Sequence, residues 1–379
     1  MQSPVIPLIG RWTADTPGTI SLGQGMVGYG PPPEVMAAVR SFGAAPGDHA
    51  YGPVEGLPAL VEAITRKLAA ENGIVADVSS RVVATAGGNL AFMNAVLAVT
   101  DPGDEVILPA PFYFNHDMAI VMAGAVTVPV PSGPGFQLDV DAIADAITPR
   151  SRAVVTVSPN NPTGAVYAEG ALRDVNRLCA NRGVFHIHDE AYEYFLYDDA
   201  SHFSPGSIEG AGGHTISLFS LSKAYGMASW RLGYMVIPGM LWDAVNKIQD
   251  TMLICPPAVS QSAALAALGV GRAWAGRHRP GLARVCRRLL DELAAADMPS
   301  ETMASAGALY VFIRVRTPLD AMAVTERLIR EHRVAVAPGS AFGAARGCYL
   351  RVSFGALDDE TAAEGIARLV SGLRAVARS

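Results

Sequence analysis

From residue 81 onward, short runs rich in β-branched residues alternate with longer amphipathic stretches, and this alternation limits the possible folds more than any other feature. The runs predict strands at 81–85, 105–108, 125–130, 152–157, 184–188, 214–219 and 232–237. The stretches 89–100 and 139–147 have helical periodicity. Strands that alternate with helices indicate an α/β domain with a mostly parallel sheet, which binds ligands at the carboxyl ends of its strands.

The last hundred residues have a different pattern. The elements predicted there are a long helix at 272–296, strands at 309–315 and 348–353, a helix at 320–331 and a terminal helix from Asp358. We therefore expect a smaller α+β domain at 281–379, after a large domain at 45–280. The irregular segment 1–44, which contains three consecutive prolines, is predicted to pack with the small domain.

Composition narrows the functional class. The net charge is −6, with 50% hydrophobic and 17% charged residues, which argues against a disordered chain and against a nucleic-acid-binding surface. The four cysteines are widely spaced, so neither a disulfide framework nor a zinc knuckle is expected. The sequence has no signal-like start and no apolar run of the roughly 18 residues that a membrane span needs. We expect a cytoplasmic protein that binds neither membranes nor nucleic acid.

Lysine is scarce in this chain. Of 29 basic residues only three are lysines, so chemistry that needs a free amine has the candidates Lys67, Lys223 and Lys247. Lys67 and Lys247 lie in helical stretches and are predicted to be on solvated faces. Lys223 instead follows the strand predicted at 214–219.

The segment around Lys223 reads SLSKAYGMASWR, from residue 220 to residue 231. A lysine amine can bond covalently to an aldehyde, while the hydroxyls of Ser220 and Ser222 and the guanidinium of Arg231 can bind a phosphate. The segment therefore predicts a site for an aldehyde cofactor that carries a phosphate.

Two other predicted strands end in polar side chains. Asn161 lies in the turn SPNNPTG, where its amide is placed to hydrogen-bond a cofactor oxygen. Asp189 and Tyr192 follow the next strand, and a carboxylate buried there needs a cationic partner such as a protonated pyridine nitrogen. His186 and His188 have no third ligand at a usable spacing, so no metal site is predicted.

Glycines and aromatic residues mark two further junctions. Gly88 and Asn89 lie where a strand meets a helix, a position at which free backbone amides favour a phosphate. The loop is neither a GxGxxG fingerprint nor a P-loop, so nicotinamide and nucleotide cofactors lose support. Tyr113 lies after the next strand, among aromatic residues of which one is expected to stack on a flat ring.

Together and in this order, these motifs resemble those of the class I/II aminotransferases, which are pyridoxal-phosphate-dependent enzymes of fold type I. The resemblance covers nearly the whole chain, and SLSKAYGMASWR and NNPTG are its most specific parts. It implies a seven-stranded, mostly parallel sheet flanked by helices, a smaller α+β domain, and pyridoxal 5'-phosphate as the cofactor of the large domain.

The resemblance also implies a role for each motif residue. Lys223 would bond to the cofactor and then move a proton between the substrate Cα and the cofactor. Asp189, supported by His116, would keep the pyridine nitrogen protonated. The remaining contacts would come from Asn161 and Tyr192 on the phenolic oxygen, Tyr113 on the ring face, and Gly88, Asn89, Ser220, Ser222 and Arg231 on the phosphate.

Substrate binding and assembly are implied in the same way. Arg351 would grip the substrate α-carboxylate, with Asn161 and the backbone at Gly25 beside it. Tyr51 resembles a tyrosine that reaches the phosphate in the neighbouring subunit, which implies a homodimer with shared active sites.

The implied reaction is a ping-pong transfer of an amino group from an L-amino acid to a 2-oxo acid. A C–S β-lyase, or another enzyme that acts at Cα or Cβ, is the alternative on the same scaffold. A non-enzymatic ligand sensor is disfavoured by the acidic net charge, and a nicotinamide oxidoreductase by the missing glycine fingerprint.

The substrate side chain is the least determined part. Relatives that bind a second carboxylate place a basic side chain in the Gly-Gly loop or bring one from the partner subunit, whereas this loop has Asn89. Trp12, Met26 and Tyr29 are candidates for the lining of an apolar pocket. These residues favour neutral or aromatic amino donors.

Overall fold

The computed structural model describes residues 5–76, 79–296, 300–302, 305–344 and 346–377. The strands of these residues are β1 (Ile20–Ser21), β2 (Ser80–Thr85), β3 (Glu105–Ala110), β4 (Val126–Pro131), β5 (Ser151–Val157), β6 (Phe185–Asp189), β7 (Thr215–Ser220), β8 (Gly233–Pro238), β9 (Ser300–Thr302), β10 (Tyr310–Val315), β11 (Val334–Ala335), β12 (Ala337–Pro338) and β13 (Cys348–Ser353). The α-helices are α1 (Val5–Ala14), α2 (Pro33–Ser41), α3 (Pro58–Lys67), α4 (Gly88–Val99), α5 (Phe114–Met122), α6 (Val140–Ala146), α7 (Glu169–Arg182), α8 (Leu221–Ala224), α9 (Trp242–Met252), α10 (Ala258–Val270), α11 (Ala273–Ala295), α12 (Ala321–His332) and α13 (Asp359–Ala377).

A seven-stranded sheet forms the centre of the larger part, in the order β2-β8-β7-β6-β5-β3-β4. Only β8 runs antiparallel to its neighbours within this sheet, so the sheet is mixed and mostly parallel, as predicted. Its strands are apolar on both faces: Val106 and Leu108 pack in one hydrophobic cluster and Ile107 in another. Helices cover both faces, which is why these strands read as nearly continuous apolar runs.

The smaller part is built on an antiparallel sheet in the order β12-β13-β10-β9. Residues of α11, α12 and α13 pack with β10 and β13 in one core. This arrangement confirms the predicted smaller α+β unit. Strand β1 pairs in parallel with β11, and Ile9 of α1 packs with Ile329 and Ala335.

The proposed domain boundaries remain predictions. The boundary between residues 280 and 281 falls inside α11, beside Pro280. Within the described ranges, no helix combines the length and the apolar character that crossing a bilayer requires.

Strand direction positions the site. Strands β2, β3, β5, β6 and β7 run the same way, so their carboxyl ends meet at one edge of the sheet. The residues that follow these strands include all the large-domain motifs singled out in the sequence. Thr85 precedes the glycine loop, Asp189 ends β6, and Ser220 ends β7 directly before Lys223.

Gly164, in the turn after β5 of the large sheet, hydrogen-bonds to the segment that precedes β10 of the small sheet. Its carbonyl oxygen accepts the N–H groups of Ala306 and Gly307, at 3.1 and 2.9 Å. Gly164 has φ of +72°, and a Cβ there would meet the Ser305 hydroxyl oxygen and lie 2.5 Å from the Tyr310 carbonyl oxygen.

We predict that Gly164→Ala lowers the free energy of unfolding by about 3 kcal/mol, because backbone strain adds to overpacking. Gly183→Ala is the matched control, since Gly183 has φ of +66° but open space around a Cβ. We expect it to cost about 1 kcal/mol, the strain alone. Urea unfolding of both variants measures the difference, and equal losses would show that the crowding at Gly164 is unimportant.

Candidate active site

A cavity of about 350 Å³ lies at the carboxyl edge of the large sheet and is closed on one side by Tyr310 and Arg351 of the small sheet. Nearly all of the predicted site residues line it: Gly25, Gly88, Asn89, Tyr113, Asn161, Asp189, Tyr192, Ser220, Ser222, Lys223, Arg231 and Arg351. The structure therefore brings together side chains that are more than 300 residues apart in the sequence.

Lys223 lies in the short helix α8, immediately after β7. The Ser220 hydroxyl caps this helix by accepting the Ser222 N–H at 3.2 Å, and the Lys223 Nζ donates to the Gly25 carbonyl oxygen. Burial, followed by the nearby cations Arg351 and Arg231, lowers the pKa of Lys223 to about 8. A substantial fraction of this amine is therefore neutral close to physiological pH, as a nucleophile or general base requires.

Asp189 places a carboxylate at the base of the cavity. Its Oδ1 accepts the Ala191 N–H at 3.0 Å, and its Oδ2 lies 3.2 Å from the Nε2 of His116. His116 is buried and stacks on Phe92, with the ring centroids 4.0 Å apart. The carboxylate is thus held by one contact at each oxygen while it lines the cavity.

Hydroxyl and amide groups connect the two sheets across the cavity. The hydroxyls of Tyr192 and Tyr310 are 2.6 Å apart, and the Asn161 amide donates to the Tyr192 hydroxyl at 3.4 Å. Arg351 donates to Asn161 Oδ1 at 3.0 Å and to the Gly23 carbonyl oxygen at 2.7 Å. Burial, with the neighbouring Tyr310, raises the pKa of Tyr192, so its hydroxyl stays protonated and able to donate.

The end of the cavity at the start of α4 is suited to an anion. Gly87, with φ of +88°, precedes the 12-residue helix α4, and a Cβ at this position would lie 2.5 Å from Arg231 Nη2. Only glycine allows the guanidinium to approach this helix N-terminus so closely. Gly88, Ser220 and Ser222 line the same end, so backbone amides, hydroxyls and a guanidinium converge as a phosphate requires.

Other predicted residues lie elsewhere. Tyr51 is 83% exposed and is outside the lining of this cavity. Of the three candidates for an apolar pocket, only Met26 lines it. Trp12 packs against the cluster of Ile9, Ile329 and Ala335 and does not line the cavity. Tyr29 is also outside the lining, although its hydroxyl donates to the Lys223 carbonyl oxygen at 3.1 Å.

The sequence patterns did not single out seven residues that line the cavity: Ile6, Gly23, Gln24, Phe114, Val157, Ala191 and Tyr310. Tyr310 begins β10, and nothing in its local sequence indicates a distant partner. The only related feature of the sequence is the glycine at position 25. A larger residue there would collide with the Tyr310 hydroxyl.

The prediction for Lys67 is also wrong. Its side chain is buried, with 8% of the residue exposed, and its Nζ bonds to Glu193 at 2.6 Å. Lys247 is 77% exposed, which confirms its predicted solvated position.

The low pKa of Lys223 makes the stability of the cofactor-free protein depend on pH. Between the folded value of about 8 and the ordinary 10.5, the unfolded chain binds more protons, so stability rises with pH through this window. We predict that Lys223→Met stabilises the cofactor-free protein by about 2 kcal/mol at neutral pH, and that this gain fades as the pH rises from about 8 to 10.5.

Thermal unfolding of both proteins across this pH range measures the effect, with Lys247→Met as the exposed control. A Lys223→Met variant that is no more stable than wild type at neutral pH would contradict the account of a strained, buried amine.

Three comparisons extend these observations. The family model for aminotransferase class I and II matches residues 17–369. An aromatic aminotransferase from Arabidopsis thaliana is 34% identical over 98% of this chain and 93% of its own length. The aspartate/prephenate aminotransferase of Thermus thermophilus is 35% identical, with 86% and 84% of the two chains covered. The crystal structure of an aromatic aminotransferase from Pyrococcus horikoshii matches with a TM-score of 0.89 at 33% identity, over 97% of this chain and 99% of that one. The chain belongs to the class I and II aminotransferase family.

Proposed function

We propose that this aminotransferase binds pyridoxal 5'-phosphate in the cavity described above and transfers the amino group of a neutral or aromatic L-amino acid to a 2-oxo acid by a ping-pong reaction. The observation that carries the proposal is the meeting of three groups in one cavity: the Lys223 amine with its low pKa, the Asp189 carboxylate and the Arg351 guanidinium.

The donor set fits this cofactor. The phosphate would be held by the amides at the start of α4, the Ser220 and Ser222 hydroxyls and Arg231, where the glycine at position 87 leaves room for the guanidinium. Asp189 would face the ring nitrogen, and Tyr192 and Asn161 the phenolic oxygen. Tyr113 would stack on the ring, beside Gly88 and Asn89. Lys223 would bond to the aldehyde carbon.

When bound, pyridoxal phosphate supplies an electron sink that stabilises the negative charge developing at the substrate Cα. The protein residues then bind and orient the substrate and move the proton. Arg351 would bind the α-carboxylate, and because Asn161 and Gly23 fix its guanidinium, the Cα is held in one place. The substrate amino group would replace Lys223 on the aldehyde carbon and so free its amine. The Lys223 Nζ would then take the Cα proton as general base, since its pKa of about 8 makes the neutral amine accessible.

The cavity walls support a neutral substrate side chain. Ile6 and Phe114 line the cavity and pack against the same small cluster, which contains Phe342. Among the described residues of the lining, the cations are Lys223, Arg231 and Arg351, and each already has a role. A second substrate carboxylate would therefore lack a counter-ion from this chain. The comparisons include relatives named for aromatic and for aspartate substrates, and the apolar wall favours the aromatic class.

Tyr51 supports the proposal of a homodimer with shared active sites. The residue is 83% exposed and does not line the cavity of its own chain, as is expected of a residue that serves the partner. The four cysteines are unpaired, which fits the reducing cytoplasm.

The central test replaces the amine. We expect Lys223→Ala to keep the fold but to lose at least about 1,000-fold in transamination rate, because both the covalent bond and the proton transfer depend on this group. Lys247→Ala, at an exposed position, is the control and should retain wild-type turnover. Wild-type protein should turn yellow with pyridoxal phosphate and bleach when an amino donor is added. Substantial turnover by Lys223→Ala would refute the assignment.

A donor panel tests the substrate class and the alternative reaction. We expect kcat/KM for phenylalanine or leucine to exceed that for aspartate by about 10- to 100-fold, since an unpaired carboxylate beside an apolar wall is costly. A preference for aspartate would contradict the proposed pocket. Release of pyruvate and ammonia from a cysteine conjugate, without an added 2-oxo acid, would identify a C–S β-lyase instead.

A further inference from the structure

Lys67, the last residue of α3, enters a buried polar pocket behind the carboxyl end of β6. Its Nζ donates to both carboxylate oxygens of Glu193 at 2.6 Å and to Asn72 Oδ1 at 2.7 Å. The ammonium also lies 4.7 Å from the centroid of the Phe219 ring and 5.3 Å from that of Tyr194. Every hydrogen of this ammonium is therefore directed at a protein group that attracts it.

Glu193 belongs to the turn that carries the proposed catalytic residues. In this turn the Glu193 N–H donates to the Glu190 carbonyl oxygen at 3.0 Å, and the Phe195 N–H donates to that of Tyr192 at 2.9 Å. The turn presents Tyr192 to the cavity, whereas Glu190 and Glu193 project away from it into the pocket of Lys67. The backbone of this turn therefore connects both glutamates directly to Tyr192.

Asn72 joins the two glutamates. Its amide donates to Glu193 Oε2 at 2.9 Å and to Glu190 Oε2 at 3.4 Å, and it receives the bond from Lys67. Glu190 also accepts from Ser204 and lies 2.8 Å from His202 Nε2. The side chains of this pocket thus hold the turn after β6 through the carboxylates of Glu190 and Glu193.

The Lys67 ammonium is the counter-ion of the buried Glu193 carboxylate. The ligand atoms of Glu190, Glu193 and His202 lie within 4.8 Å of one another, a spacing that would also suit a metal ion. In this structure the cation in direct contact with Glu193 is the Lys67 ammonium. Without it, a carboxylate only 11% exposed would lose its counter-ion.

We propose that Lys67 is a positioning residue that, through Glu193 and Asn72, holds the turn after β6 so that Asp189 and the Tyr192 hydroxyl face the cavity. The catalytic consequence rests on the proposed function, whereas the positional one does not. The bonded chain runs from Lys67 to Glu193, along the turn to Tyr192, and on to Tyr310 at 2.6 Å and Asn161 at 3.4 Å.

The test compares Lys67→Met, Glu193→Gln and the double variant, with Lys247→Met as the control at an exposed lysine. Lys67→Met alone strands a buried carboxylate, so its unfolding midpoint should fall. The double variant removes both charges and should recover much of that stability. Both variants that lack Lys67 should lose about 10- to 100-fold in kcat with little change in KM, and the pH at which the bound cofactor's visible absorbance changes should move by about one unit.

A purely structural role would lower the unfolding midpoint and leave kcat and that pH unchanged in the folded variants. Such a result for the double variant would overturn the inference. If the double variant does not fold, Glu193→Ala gives the same readouts, because it removes the acceptor that the Lys67 ammonium holds. Wild-type kcat and an unchanged pH there would overturn the inference equally.

A crystal structure of the cofactor-free double variant separates this inference from the proposed function. We expect the Tyr192 hydroxyl to move about 1 Å or more away from Tyr310. Retention of the 2.6 Å contact would overturn the positioning role, whatever cofactor the wild type binds. A wild type that fails to bind pyridoxal phosphate, together with a displaced Tyr192, would instead refute the proposed function and support the positional inference.

Discussion

The placement of three cations in one cavity is the constraint on which the rest of the site depends. Burial is the largest cause of the low pKa of the Lys223 amine, Arg351 and Arg231 lower it further, and the Asp189 carboxylate acts in the opposite direction. In the proposed reaction, the two guanidiniums receive a phosphate and a carboxylate. The same groups that would bind these anions therefore also lower the pKa of the amine, and the bound anions would weaken the repulsion among the three cations.

Residues that immediately follow strands could be located from the sequence, because a parallel sheet brings the ends of its strands to one edge. Asp189, Asn161 and Lys223 were found in this way. Tyr310 was not, because its approach to the cavity depends on how the small sheet packs, and no local pattern records that packing. Ile6 was missed for the same reason, since α1 reaches the cavity only after the fold has formed.

Lys67 shows a second limit of sequence patterns. A lysine at the end of an amphipathic helix is usually solvated, and the partner that buries this one is 126 residues away in the sequence. The scarcity of lysine was the better guide. Lys67 is buried behind the turn after β6, and Lys223 lines the cavity. A compact ammonium on a flexible stem can satisfy several acceptors at the first position and lose its proton at the second, whereas a guanidinium cannot do the latter.

Helix α11 connects the two hydrophobic cores. Ala275, near its start, packs in a cluster of the large sheet, whereas Leu282, Leu289 and Leu293 pack in the core of the small one. The large and small sheets are therefore joined by one continuous helix rather than by a flexible linker. Pro280 lies between these contacts and cannot donate a backbone hydrogen bond to the preceding turn, so bending costs least there. A rotation of the small sheet relative to the large one that bends α11 would therefore bend it most easily at Pro280.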